Sequence, residues 1–257
     1  MANPKFFTKN KLRDNCTFSF TSAISAIASV LYDRDRTTTL ASVGSNDATP
    51  EIWDITFSSA QSIDTIIVDN HNIKSGGIQY WNGASFVAFS TAATWSANAI
   101  TTSVFSFNSV STTKLRFTMN TTMVVDAQKS VGLIYAMATI GTPSAAPATL
   151  DLEFVEDSRA HKKAGGGTLY VYFGARSVLK YLFSDATVAD VTLFSTIKNL
   201  SVEFFIWPCG AVASATTDIG LRVYDLYLVN YVNNFKPDFK SNVLGIGTRV
   251  TMDFKEV

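Results

Sequence analysis

Charge of either sign is scarce in this chain, and so are histidine and cysteine. Lys plus Arg and Asp plus Glu each number 21 in 257 residues, for a formal net charge of zero. No basic field exists to hold a polyanionic backbone or an anionic membrane surface, so nucleic acid is excluded as a partner and membrane insertion is not expected. Charged residues are 16% where about 25% is usual. Two cysteines, Cys16 and Cys209, support neither a disulfide framework nor a zinc site and read as small core residues. Two histidines, His71 and His161, leave the usual hydrolytic triads little to draw on. No apolar run reaches a membrane-spanning length, and the basic residues near Met1 lack the apolar stretch of a secretory signal, so no signal peptide is expected. The Asn-x-Ser/Thr sites at Asn15, Asn120 and Asn199 are accordingly read as accidental.

What is plentiful is apolar and β-forming. Apolar residues make up 47% of the chain, enough for a sizeable core, and the length suits two domains. Residues 52–57, 65–69, 77–81, 104–107, 114–119 and 131–135 are short alternating segments rich in β-branched and aromatic side chains, flanked by turn residues; this pattern predicts an antiparallel sandwich over residues 1–140, with a short N-terminal arm. Residues 21–31 would place Ile24, Ile27 and Leu31 on one helical face, while alternation fits parts of the same stretch, so its element type stays open. Residues 141–149 are small, with Pro143 and Pro147, and are read as a linker. Beyond it, strands are predicted at 150–155, 168–173, 200–207, 221–229 and 249–254. A helix is expected over 185–198, capped by Asp185, with Val188, Val191, Phe194 and Ile197 on one face. The expected fold is all-β: two β-sandwich domains, the second a sandwich or partly open barrel carrying the helix.

Little catalytic chemistry is visible. There is no Gly-x-Ser-x-Gly elbow, and Gly165-Gly-Gly is followed by Thr168-Leu169 instead of the Lys-Ser/Thr of a phosphate cradle. The basic residues Arg159, His161, Lys162 and Lys163 are balanced by Glu156 and Asp157, as in a solvated loop. No carboxylate pair has a spacing that singles it out, so the chain is not expected to be an enzyme. Two binding sites are candidates. Asp33, Asp35 and Thr38 alternate oxygen ligands as a hard cation such as calcium requires, or the carboxylates pair with Arg34 and Arg36 and hold nothing. His71 and Asn72 follow one strand and Trp81 and Asn82 end another; together they would offer a stacking face with hydrogen-bond donors for a saccharide, unless Trp81 is simply core.

Taken in order, residues 31–38, 51–57, 62–69, 80–87 and 113–118 resemble the discoidin, or coagulation-factor type C, domains of the galactose-binding jelly-roll superfamily over roughly residues 14–138. That resemblance implies a binding module whose loops at one end recognise glycans, lipids or proteins, with Asp33, Asp35 and Thr38 in the place of a cation loop. The chain departs from the extracellular animal members in lacking their flanking disulfide. Residues 204–210, 222–230 and 251–257 resemble, more loosely, the C-terminal region of tail-tip structural proteins of tailed bacteriophages, including distal tail proteins. This second resemblance implies a non-enzymatic structural component of a phage tail tip or tail-like particle, made in the host cytoplasm and located in the virion tail. Its partners would be further copies in a ring, neighbouring tail proteins and host surface glycans. Self-association is expected through the apolar segments containing Phe204, Phe205, Trp207, Tyr224 and Tyr227, which one small domain would struggle to bury. The alternative is a soluble carbohydrate-binding module; accessory domains of a glycan-degrading enzyme rank last.

Overall fold

The computed structural model describes residues 3–35, 37–162, 168–200, 203–207, 227–231, 238–239 and 248–256. The fold is all-β, with one α-helix among the described residues, and the chain divides into two compact units, one of residues 10–139 and one of residues 1–9 with 140–257. The strands are β1 (Lys5–Phe7), β2 (Cys16–Phe20), β3 (Leu40–Ala41), β4 (Glu51–His71), β5 (Ile73–Trp81), β6 (Phe86–Trp95), β7 (Ser103–Thr122), β8 (Ser130–Met137), β9 (Thr139–Gly141), β10 (Thr149–Lys162), β11 (Thr168–Ala186), β12 (Phe204–Trp207), β13 (Tyr227–Tyr231), β14 (Asp238–Phe239) and β15 (Thr248–Glu256), with helix α1 at Val188–Lys198. No helix among the described residues is long and apolar enough to cross a membrane.

In the unit of residues 10–139 the strand order is β3-β8-β4-β7-β5-β6, with β2 added to β4. The segments predicted separately at 52–57 and 65–69 are one strand, β4, and those at 104–107 and 114–119 are one strand, β7. Their pairing shifts register between Thr56 and Gln61 and again between Ile63 and Thr65. Such irregularities bend a ribbon, and both halves of β4 face one core: Trp53, Ile55 and Phe57 from the first half meet Ile63, Ile66 and Val68 from the second. The ribbon therefore folds over at this corner. Residues 21–31, ambiguous in sequence, form a lone bridge, Ile24 to Ser42, and lead into a 3-10 turn at Ala28–Tyr32. Gly76 in β5 has φ +150° and lies so close to β7 that a Cβ there would fall 2.1 Å from the Thr118 carbonyl oxygen. Cys16 is half-buried, its thiol donating to the Leu12 carbonyl, and burial pushes its pKa up to about 11. Cys209 lies outside the described residues.

The other unit is a sheet in the order β10-β11-β15-β13-β12-β1-β9, with β14 on β15. Residues 1–9 belong here and not to the domain of residues 10–139: β1 pairs with β12 in the register Lys5–Trp207 to Phe7–Phe205, and Phe6 packs on Phe204 and Phe254. The helix begins two residues later than expected. Asp185 lies in β11, and Thr187 is the cap, forming a capping box with Asp190. Of the expected apolar face, Phe194 and Ile197 are buried, while Val188 is 79% exposed at the first helical position. The stretch read as a linker is docked on this unit. Buried Asp190 accepts hydrogen bonds from the Ser144 and Ala145 amides and the Ser144 hydroxyl, and Asn3 donates to the Pro143 carbonyl. Small side chains offered no anchor to a reader of the sequence; the backbone amides supply it. Burial raises the Asp190 pKa, but hydrogen bonds from the amides and hydroxyls of Thr187 and Ser144 outweigh it and hold the carboxyl below its usual range.

Candidate functional site: an aromatic and cationic sheet face

His71, Asn72, Trp81 and Asn82 do not form one site. His71 and Asn72 lie just before β5 and Trp81 at its far end; at about 3.3 Å per residue the strand holds the two pairs more than roughly 20 Å apart. His71 is 2% exposed. Its Nδ1 accepts from the Ile73 amide at 3.1 Å, so Nε2 carries the proton and donates to Ser103 Oγ at 2.8 Å, an oxygen that also accepts from the Trp95 indole at 2.9 Å. A Ser–His contact in this tautomer has no basic nitrogen facing the hydroxyl, so it cannot activate Ser103 as a nucleophile. Burial drives the His71 pKa down to about 4, against a smaller upward pull from Asp69. Asn72 is equally committed: it donates to the Gln128 carbonyl at 2.7 Å and accepts from the Ser130 amide at 2.9 Å, clamping the preceding loop. Asn82 is a turn residue whose side-chain oxygen accepts from the amides of Ala84 and Ser85.

The Asp33 loop is closed on itself. Asp33 Oδ1 accepts from the Asp35 amide, Asp35 Oδ1 accepts from both the amide and the hydroxyl of Thr37, and Thr38 donates its hydroxyl to the Asp35 carbonyl. The Thr37 hydroxyl, then the Thr37 amide, hold the Asp35 carboxyl below its usual pKa. Among the described residues no group of three or more His, Cys, Asp or Glu side chains is arranged to hold a metal. The assembly residues are also placed: Phe204, Phe205 and Trp207 are 1%, 2% and 5% exposed, buried within this chain. β12 pairs with β1 along one edge and with β13 along the other, and Phe204 and Ile206 join the core of this unit. Tyr227 lies in β13, and Tyr224 lies outside the described residues.

Trp81 remains, and it is not core. Alternation along β4, β5 and β7 points Trp53, Ile78, Leu115 and Phe117 inward and leaves the intervening side chains on the outer face. Cross-strand register then builds two adjacent rows. One is Ser19, Asp54, Arg116 and Gln79; the other is Thr17, Thr56 and Lys114, continued by Trp81 and Phe86. Trp81 is partly exposed, with the Phe86 ring edge-on at 5.2 Å and the Lys114 ammonium 5.2 Å above its own ring. Arg116 lies 4.0 Å over the Phe86 ring and makes a two-pronged pair with Asp54, Nε to Oδ1 at 2.8 Å and Nη2 to Oδ2 at 2.7 Å. At 32% and 25% side-chain exposure the pair adds little stability, but it fixes the guanidinium plane. Below the platform the buried Thr112 hydroxyl bonds the backbone of both Trp81 and Lys114. Sequence reasoning found Trp81 but missed Phe86, Lys114, Arg116, Asp54 and Thr112. The alternation of 114, 116 and 118 carries that signal, but only cross-strand register says which of its members meet Trp81.

No protein-family model and no curated protein matches the chain. Solved structures with a similar fold include chitosan-binding module 1 of a chitosanase/glucanase from Paenibacillus sp. IK-5, 17% identical, covering 50% of this chain and 98% of that one at TM-score 0.41. They also include a family 32 carbohydrate-binding module from Clostridium perfringens in complex with GalNAc-β-1,3-galactose, at 15% identity, 51% and 100% coverage and TM-score 0.42. The family 32 module of NanJ from the same organism, in complex with galactose, is 17% identical, with 51% and 99% coverage and TM-score 0.41.

Proposed function

We propose that residues 10–139 form a non-catalytic saccharide-binding module whose binding surface is the outer sheet face around Trp81. One observation carries this reading: a partly exposed Trp–Phe pair, braced from below by Thr112 and bordered by the Lys114 ammonium and the paired Arg116 and Asp54 side chains. Sugar rings present apolar C–H faces ringed by hydroxyls, and a flat aromatic surface with polar groups at its margin complements both. A glycan array probed with the intact chain tests the reading; absence of binding to every saccharide would overturn it.

A second reading, a structural component of a tail tip or other assembly, is favoured by a different observation. Val43, Ile100, Val124 and Val125 are 48%, 54%, 71% and 74% exposed on loops at the end of the sandwich away from Trp81. Apolar side chains so open to water suit a protein neighbour. Light scattering of the intact chain tests it: a strict monomer at high concentration counts against a ring.

A further inference from the structure

The class of saccharide follows from the charges of the platform, given the reading that it binds sugar at all. Asp54 and Arg116 cancel one another, and their nearest neighbours across the rows are uncharged Ser, Thr, Gln and Ala side chains. Lys114 has no carboxylate partner among the described residues, so the patch carries one uncompensated positive charge, held 5.2 Å above the Trp81 ring. Arg116 engages Asp54 through Nε and Nη2 only, which leaves Nη1 without a protein acceptor among the described residues. Two cationic donors thus flank one aromatic pair. We propose that the platform selects saccharides bearing a carboxylate, uronic acids in particular, with the ring against Trp81 and the carboxylate directed to Lys114 Nζ and Arg116 Nη1. Arg116 supplies directional donors whose plane Asp54 and Phe86 hold, and Lys114 supplies the unbalanced charge. A neutral sugar of the same shape gains the stacking contact and forgoes the charge-assisted bonds.

The experiment is calorimetric titration of the full chain with trigalacturonate and with its methyl ester, which differ in charge and little in shape. The acid is expected to bind roughly five- to tenfold more tightly at low salt, with the difference shrinking at high salt. Lys114→Gln keeps an aliphatic stem beside Trp81 and should bring the ratio of the two affinities close to one. Trp81→Ala should weaken both ligands together. An ester that binds as tightly as the acid, or a ratio unchanged in Lys114→Gln, overturns the charge selection while leaving saccharide binding intact. If neither trimer binds and no neutral glycan does, the selection falls together with the reading beneath it.

Discussion

The Thr112 hydroxyl holds the backbone of Trp81 on both sides: it accepts from the Trp81 amide at 3.2 Å and lies 2.8 Å from the Trp81 carbonyl. The same oxygen lies 3.2 Å from the Lys114 amide and 2.9 Å from the Lys114 carbonyl. One buried side chain therefore sets the spacing of the aromatic ring and the free cation at the point where the β4–β7 ribbon folds over. Thr112→Val preserves the shape and removes the hydroxyl, leaving buried backbone groups unpaired. The expected cost is about 1–3 kcal/mol in urea denaturation, with a parallel loss of saccharide affinity in conditions where the variant is fully folded. Unchanged affinity would mean that this clamp does not position Trp81 for binding.

His71 gives the unit an acid-sensitive stability. It is neutral in the fold, with a pKa lowered from 6.5 to about 4 chiefly by burial. Between those values the unfolded chain binds a proton that the folded chain does not, so stability is full above about 6.5, falls as pH drops, and is lost by about 3 kcal/mol once pH passes below 4. Asp35, Asp47 and Asp190, whose pKa values are lowered, act in the same direction at lower pH, because their contribution disappears as they are protonated. Urea midpoints at pH 7 and pH 4.5 should separate widely for the wild type and much less for His71→Gln. Equal separations would show that His71 does not govern this window.

The two left-handed glycines of β5 and its following turn differ in surroundings. A Cβ at Gly76 meets the Thr118 carbonyl oxygen at 2.1 Å, whereas a Cβ at Gly83, at φ +104°, meets nothing within 4 Å. Gly76→Ala should therefore cost more than Gly83→Ala by about 1–3 kcal/mol, the usual penalty for forcing a strand pair apart. Similar melting temperatures for the two variants would contradict the close approach of β5 to β7.

Strand positions and the inward alternation of Trp53, Ile55 and Phe57 were legible in sequence because a half-buried strand writes its period directly into the residues. The fusion of two predicted strands into β4 was not, since Ser58, Ser59 and Ala60 read as a turn and only the paired strand shows that the ribbon continues. The same limit governs the site. Alternation shows that Lys114 and Arg116 share a face of β7, but their meeting with Trp81 and Phe86 depends on register across three strands. His71 and Asn72 looked like ligand-binding residues because they are polar and follow a strand. Burial and backbone partners, which no sequence pattern prints, make them structural. Phe204 and Trp207 looked too apolar for one domain because the contribution of β1, from the other end of the chain, was not visible.

The calcium reading of the Asp33 loop has its own test. With Asp33 and Asp35 each already accepting hydrogen bonds from within the loop, melting curves in calcium and in chelator should coincide for the wild type and for Asp33→Ala alike. An ion bound only by the folded state would instead raise stability by about 2.7 kcal/mol at one hundred times its dissociation constant, and Asp33→Ala would abolish that gain.

Trp81→Ala, assayed for melting temperature and saccharide affinity on the same preparation, tests the central claim most directly. Because the indole lies on the outer face against Phe86 and Lys114, the account predicts a stability loss of about 1 kcal/mol together with loss of saccharide binding. A loss of about 3–5 kcal/mol, as for a buried tryptophan, or binding that survives the substitution, would contradict it.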